Sequence, residues 1–379
     1  MKQGYRIIDS DIHLLEPVEL WAEYLDPAFR DRAPHRPEGT MAALEMEGRT
    51  IPAHMDHPGR RSAWRRRMLR AARRGESGDG PSMARQAATG TRPEEMLAAM
   101  DVEGVDIAVA FRTWAGHVVS IDDLEPRFAA ALCRAYNRWL RDFCASDPAR
   151  LKVAALIPQQ DVDLAIAEAE FAVRELGAVA LVMASHPIQQ RTLDSQELDP
   201  LWRAAQELDV ALTFHGTHAA YGDHLSLRYL SNLPLTHAAG QPIELILSLG
   251  AMLTGGALAR FPGLRCAFLE GNCAWLPWWL WALDERWEKW GDSDHTGQKE
   301  RPSELFRRQC FVSVEPDEEL AVRAIADVGP DCFLVSTDWP HDDSAYPHAI
   351  DEFLALPGLD DEARRKILWD NCARLYGLG

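Results

Sequence analysis

The chain is short of lysine: it has only five, at positions 2, 152, 289, 299 and 366, against 35 arginines. Positive charge as a whole is in deficit, with 40 Lys and Arg facing 58 Asp and Glu for a formal net charge of −18. Such an acidic surface repels phosphate backbones, so a general nucleic-acid binder is not expected. Long apolar runs are missing too. The richest, Leu276–Leu283, is eight residues long, far below the ~18–20 that a membrane span needs. The first residues, MKQGYRIIDSDIHLLEP, meet acids almost at once, so no secretory leader is expected. Seven cysteines lie at 133, 144, 266, 273, 310, 332 and 372, an odd number with no C-x-x-C spacing. Neither a disulfide framework nor a structural zinc cage follows from them, and a reducing cytoplasm fits best.

What is present is a globular composition, 47% apolar and 26% charged, arranged in a repeating pattern. Eight short apolar runs without polar alternation occur at Tyr5–Ile8, Val105–Phe111, Leu151–Ile157, Ala178–Met183, Val210–Phe214, Leu264–Leu269, Cys310–Val314 and Cys332–Val335. That pattern predicts strands buried on both faces of a parallel sheet. Helical periodicity separates them, over Glu94–Glu103, Glu125–Ser146, Asp163–Leu176, Asp199–Leu208, Ile243–Arg260, Trp275–Trp290, Pro316–Val328 and Asp361–Leu375. The alternation predicts a single α/β domain over 1–379, a (β/α)8 TIM barrel. A doubly wound sheet is the alternative, but no G-x-G-x-x-G follows the first run.

Between the first two strands lies a long Arg-rich insertion, residues 26–93. Its middle carries Arg60, Arg61, Arg65, Arg66, Arg67, Arg70, Arg73 and Arg74, followed by a Gly/Ser-rich stretch from Gly75 to Thr91. A solvated basic helix accounts for the block. A lid is the other account, with Arg65, Arg66 and Arg67 pairing to an anionic group such as a nucleotide phosphate.

Active sites of (β/α)8 barrels lie at the C-terminal strand ends. After the first run stand Asp9, Asp11 and His13, at i, i+2 and i+4, which an extended chain places on one face. His186 follows the fourth run, His215 and His218 the fifth, Glu270 the sixth, and Asp338 and His341 the eighth, with His224 and His237 further along. Imidazoles and carboxylates converging from several strands are the ligand set of zinc, iron or manganese. Arg112, after the second run, is placed to hold a substrate carboxylate or to form an ion pair. Trp275, Trp278, Trp279 and Trp281 either wall an apolar pocket or form a helix face packed on the barrel.

The motifs D-x-D-x-H at Asp9–His13, FHGT at His215, LEGNCAWLPWW at Glu270, STDWPH at Asp338 and the C-terminal RKILWDNCARLYG together resemble the amidohydrolase superfamily. The branch is the "amidohydrolase 2" type, similar to aminocarboxymuconate semialdehyde and gamma-resorcylate decarboxylases. The resemblance covers nearly the whole chain and implies Asp11, His13, His215 and Asp338 as metal ligands. Two positions depart from the pattern: Asp11 opens the usual H-x-H, and Glu270 stands where the decarboxylases commonly carry histidine.

Counting donors leads further. Asp9, Asp11, His13, His215, Glu270, Asp338 and His341 exceed what one four-coordinate ion requires. No lysine falls where dinuclear relatives carry a carbamylated bridge, which leaves Glu270 as the bridge. The set also resembles the TIM-barrel nonheme diiron monooxygenases of the superfamily, the group acting in platensimycin and platencin biosynthesis. That resemblance implies two iron ions, dioxygen and an electron donor, and hydroxylation of a bulky, terpenoid-like acyl-CoA held by the arginine block, Trp275 and Trp278. This oxidative expectation leads. The alternative is a single zinc or manganese ion serving a hydrolase or a nonoxidative decarboxylase of a small carboxylic acid, with Asp338 as base and Glu270 or His237 as its acid–base partner. A non-catalytic metal-binding barrel is the third reading. A homodimer is compatible with the family.

Overall fold

The computed structural model describes residues 1–38, 43–56, 85–86, 89–217, 225–229, 232–291, 296–341 and 343–379. Eight strands carry the architecture: β1 (Ile8–His13), β2 (Ile107–Phe111), β3 (Leu151–Leu156), β4 (Ala180–Ala184), β5 (Ala211–His215), β6 (Cys266–Leu269), β7 (Cys310–Val314) and β8 (Phe333–Val335). They form one sheet in sequential order, and every neighbouring pair is parallel. Almost every strand residue is buried, because the barrel interior covers one face and helices the other. Between β5 and β6, for example, Phe214 and Phe268 stack with centroids 4.9 Å apart. Burying a phenyl ring of this kind stabilises by roughly 1.5–3 kcal/mol.

The sheet curls until its ends meet. Ser10 Oγ donates to the Val335 carbonyl at 2.8 Å, Ser336 Oγ to the Asp11 carbonyl at 3.0 Å, and the His13 amide to the Trp339 carbonyl at 2.7 Å. The result is a nearly closed (β/α)8 barrel, as the eight runs predict.

The flanking helices include α1 (Pro93–Glu103), α2 (Pro126–Cys144), α3 (Val162–Leu176), α4 (Asp199–Glu207), α5 (Pro242–Thr254), α6 (Leu276–Trp290) and α7 (Ala321–Val328). Their ends follow local chemistry. Asp161 caps α3 by accepting the Leu164 amide at 2.9 Å, and Gly177 closes that helix in the left-handed region. The helix expected over Ile243–Arg260 ends at Thr254 and resumes at Ala257–Arg260, because Gly255-Gly256 breaks it with Gly256 at φ 75°.

Two expectations shift. The first strand is not Tyr5–Ile8 but Ile8–His13, so the D-x-D-x-H motif is the strand itself. Its charged side chains are fully buried, which an apolar-run criterion cannot detect. The insertion holds an unforeseen hairpin, Leu44–Met46 against Arg49–Ile51. The block from Arg60 to Arg74, with Arg65, Arg66 and Arg67, lies outside the described residues. Among the described residues no helix is long and apolar enough to cross a membrane.

Candidate metal centre

Four strand ends bring the predicted donors together. Asp11 and His13 come from β1, His215 ends β5, Glu270 follows β6, and Asp338 and His341 follow β8. Their donor atoms form two overlapping sets, Asp11–His13–His215–Glu270 and His13–Glu270–Asp338–His341, each within 4.8 Å. His215 Nε2 is 3.1 Å from Asp11 Oδ2 and 2.9 Å from Glu270 Oε2. His13 Nε2 is 3.1 Å from Glu270 Oε2, 3.3 Å from Asp11 Oδ1 and 3.5 Å from Asp338 Oδ1.

Local structure aims each group. His13 Nδ1 donates to the Arg112 carbonyl and His215 Nδ1 to the Gly216 carbonyl, both at 2.8 Å. A donor on Nδ1 leaves Nε2 as the free lone pair, the arrangement a metal-binding imidazole requires. Glu270 and Asp338 sit in the left-handed region at φ 57° and 53°. For non-glycine residues that conformation costs on the order of 1–3 kcal/mol and concentrates at functional sites. It turns each carboxylate off the strand direction toward the barrel axis. Gln241 Nε2 donates to Glu270 Oε1 at 2.5 Å, and the Glu270 amide donates to Ser313 Oγ at 2.9 Å.

The electrostatics call for a cation. Neither oxygen of the buried Asp11 carboxylate, nor Glu270 Oε2, receives a hydrogen bond from any described residue. Leaving buried anionic oxygens uncompensated costs several kcal/mol per ion. Burial lowers His13 to about 4. Burial and the Arg112 guanidinium also push His215 down, but Asp11 and Glu270 outweigh them and hold it at about 9. Burial alone would raise Glu270, yet the imidazoles of His215 and His13 hold it well below the ordinary range. Asp338 is raised to about 8, first by burial, with Glu270 adding to it and His341 opposing. A divalent ion such as zinc or manganese would displace the proton that the two acids hold on His215 and meet two imidazole nitrogens and anionic oxygens aimed at one volume.

Other predicted residues fall elsewhere. Asp9 joins neither set. Its carboxylate accepts from the Thr337 hydroxyl and, at 3.2 Å each, from the Thr337 and Asp11 amides. The cause is a register shift in β1: Asp9 pairs with Ala108 and Ile12 with Ala110, so Ser10 and Asp11 together oppose Val109. Such a bulge ends the strict alternation that placed Asp9 beside Asp11. His237 is half-exposed, with Nε2 2.9 Å from Asp343 Oδ2, and belongs to neither set. Arg112 is buried, and its NH2 group donates to the His215 and Gly216 carbonyls at 3.2 and 2.9 Å and to Thr217 Oγ1 at 3.2 Å. Its guanidinium braces the end of β5. Trp275 Nε1 donates to the Gly271 carbonyl at 2.9 Å, while Trp278 is 58% exposed on the outer face of α6 and cannot wall a buried pocket. His218 and His224 lie outside the described residues.

Sequence reasoning missed four contributors. Glu315 directly follows β7 and is raised well above the ordinary range, first by burial and then by Asp338 and Glu270. Its place after the seventh run was the available signal. Glu16, Thr113 and Gln241 are loop residues of common type and carried none.

Residues 8–378 match the amidohydrolase family Amidohydro_2. The chain belongs to this family. A curated relative, the gamma-resorcylate decarboxylase of Polaromonas sp. (strain JS666), is 27% identical over 260 residues, 65% of this chain and 76% of that protein. The crystal structure of an amidohydrolase from Mycobacterium avium subsp. paratuberculosis K-10 superposes with a TM-score of 0.76 at 21% identity, covering 99% of this chain and 100% of that one. A dihydroxybenzoic acid decarboxylase from Polaromonas sp. JS666, solved with bound manganese and the inhibitor 2-nitroresorcinol, superposes at 0.66 with 19% identity, covering 99% and 97%.

These relatives overturn the oxidative expectation. The curated relatives are decarboxylases, which are lyases and not oxidoreductases. A diiron monooxygenase of the platensimycin type, with dioxygen, an electron donor and a CoA-linked substrate, finds no support among them. The donor surplus behind two irons also shrinks in the structure. Asp9 is engaged by Thr337, His237 pairs with Asp343, and His341 Nδ1 lies 2.7 Å from Asp338 Oδ1.

Proposed function

We propose that the chain is a divalent-metal-dependent nonoxidative decarboxylase of a small hydroxylated aromatic acid. One observation carries the reading: the buried Asp11 carboxylate, which receives no hydrogen bond from a described residue, converges with the Nε2 atoms of His13 and His215 and with Glu270, in a chain whose curated relatives are decarboxylases. Asp11, His13, His215 and Glu270 would hold the ion, with manganese favoured because a relative's structure contains it. The ion would supply positive charge that offsets negative charge developing on the substrate.

The rest falls to the protein. In decarboxylation the bond between ring and carboxyl carbons breaks, CO2 leaves, and the electron pair stays on the ring carbon. A proton then takes the place of CO2, so neither oxidant nor reductant is needed. Asp338 is suited to carry that proton, since it lies against His341 Nδ1 at 2.7 Å and burial pushes its carboxyl up. His341, with Nδ1 2.7 Å away, returns a proton to it. Arg112 keeps the end of β5, and so His215, in place.

The test is turnover in D2O. Manganese-loaded protein given 2,6-dihydroxybenzoate and related hydroxybenzoates should yield a phenol carrying one ring deuterium, seen by NMR. A hydrolysed or hydroxylated product from the same acids would refute the proposal.

A further inference from the structure

Thr113, on the loop after β2, makes no metal-type contact, yet it touches the far side of the proton-handling pair. Its Oγ1 lies 3.1 Å from His341 Nε2, while His341 Nδ1 faces Asp338 Oδ1 at 2.7 Å. The His341 ring also packs on His13, with centroids 4.3 Å apart and planes tilted by 34°. Both nitrogens and one face of His341 are thus engaged. Thr113 itself is fixed from below. The buried Glu16 carboxylate accepts the Thr113 amide at 3.0 Å, the Trp114 amide at 2.8 Å and the Ala115 amide at 3.0 Å. The chain of contacts therefore runs from the segment after β1, through the loop after β2, to the loop after β8.

We propose that Thr113 is a positioning residue: its hydroxyl, carried on a backbone that Glu16 anchors, sets the orientation of the His341 ring and thereby the placing of Asp338 Oδ1. The proposal rests on the assignment of Asp338 and His341 to proton handling. An imidazole bonded at both nitrogens has one ring orientation, and when neutral it donates from one nitrogen and accepts at the other. An imidazole bonded at one can rotate or exchange tautomers. Because Thr113 reaches the cluster only through His341, its loss should spare binding and slow the chemical step.

The test compares Thr113→Val, which keeps the shape and removes the hydroxyl, with Thr113→Ser, which keeps the hydroxyl. Thr113→Val should lower kcat by about tenfold or more, on the order of what misplacing a catalytic group costs. KM and metal content should hold within about twofold. Thr113→Ser should retain most of the activity. Independently, 15N-histidine NMR of the full chain, loaded with a diamagnetic divalent ion, should show the His341 Nε2 resonance displaced in Thr113→Val and restored in Thr113→Ser. That spectrum decides the Thr113–His341 contact even if the wild-type chain decarboxylates none of the acids tried. An unmoved His341 resonance in Thr113→Val would overturn the proposal. So would equal losses in the two variants, or a rise in KM with kcat unchanged.

Discussion

His13 and His215 face each other with their Nε2 atoms 3.1 Å apart, each ring anchored through Nδ1 to a backbone carbonyl. Without a shared proton their lone pairs would repel, and Asp11 and Glu270 add negative charge beside them. A divalent ion relieves both. Exhaustive chelation should therefore lower the melting temperature, and manganese should restore it. At an ion concentration of 100 times Kd the expected stabilisation is about 2.7 kcal/mol. Calorimetry with and without chelator measures it, and superimposable traces would remove the centre from the account.

Asp11 and Asp9 are two residues apart and should behave differently. Asp11→Asn removes an anionic oxygen that receives no hydrogen bond from a described residue, and should weaken manganese binding by at least about tenfold. Asp9→Asn should leave manganese content unchanged, because Asp9 serves Thr337 and the strand bulge. Elemental analysis of the two purified variants compares them directly. Parallel metal loss in both would return Asp9 to the ligand set.

Asp9 also makes a pH prediction. Burial raises its carboxyl from the usual 3.8 to about 7, with hydrogen bonds from Thr337 and Asp11 opposing. Between those values the folded chain keeps a proton that the unfolded chain releases, so this contribution to stability is lost as pH rises through about 7. In chelator, the stability of wild type minus that of Asp9→Asn should fall between pH 4 and 7. Urea titrations across that window check it; a difference that grew with pH would show Asp9 ionised in the fold.

Asp338→Asn keeps the shape of the side chain but cannot carry the proton. It should reduce kcat by on the order of 10²–10⁴-fold, the usual contribution of a positioned acid–base group. His341→Gln, one step removed, should cost less. Steady-state kinetics of both variants settles the order, and full activity in Asp338→Asn would move proton transfer to another residue.

The barrel and most of the centre were legible because they rest on one physical rule. Strands covered on both faces must be apolar, so polar groups at their ends stand out, as His215 and Glu270 do. The rule failed at β1, where Asp9, Asp11 and His13 are inside the strand and the bulge between Asp9 and Ile12 leaves no trace in residue types. Counting donors misled for a related reason. A list of carboxylates and imidazoles does not show that Thr337 takes Asp9, that Asp343 takes His237, or that Trp278 faces outward. Those pairings arise between loops distant in sequence, and only the closed barrel brings them together.

The central claim is that this centre releases CO2 without oxygen. Manganese-loaded protein should be incubated under argon with 2,6-dihydroxybenzoate, 5-carboxyvanillate and other hydroxybenzoates, with CO2 measured beside the Asp338→Asn variant. The account predicts CO2 and the matching phenol in equal amounts from at least one acid, abolished by chelator and by the variant. Turnover that appears only when air is admitted, with dioxygen consumed and no CO2 released, would contradict it.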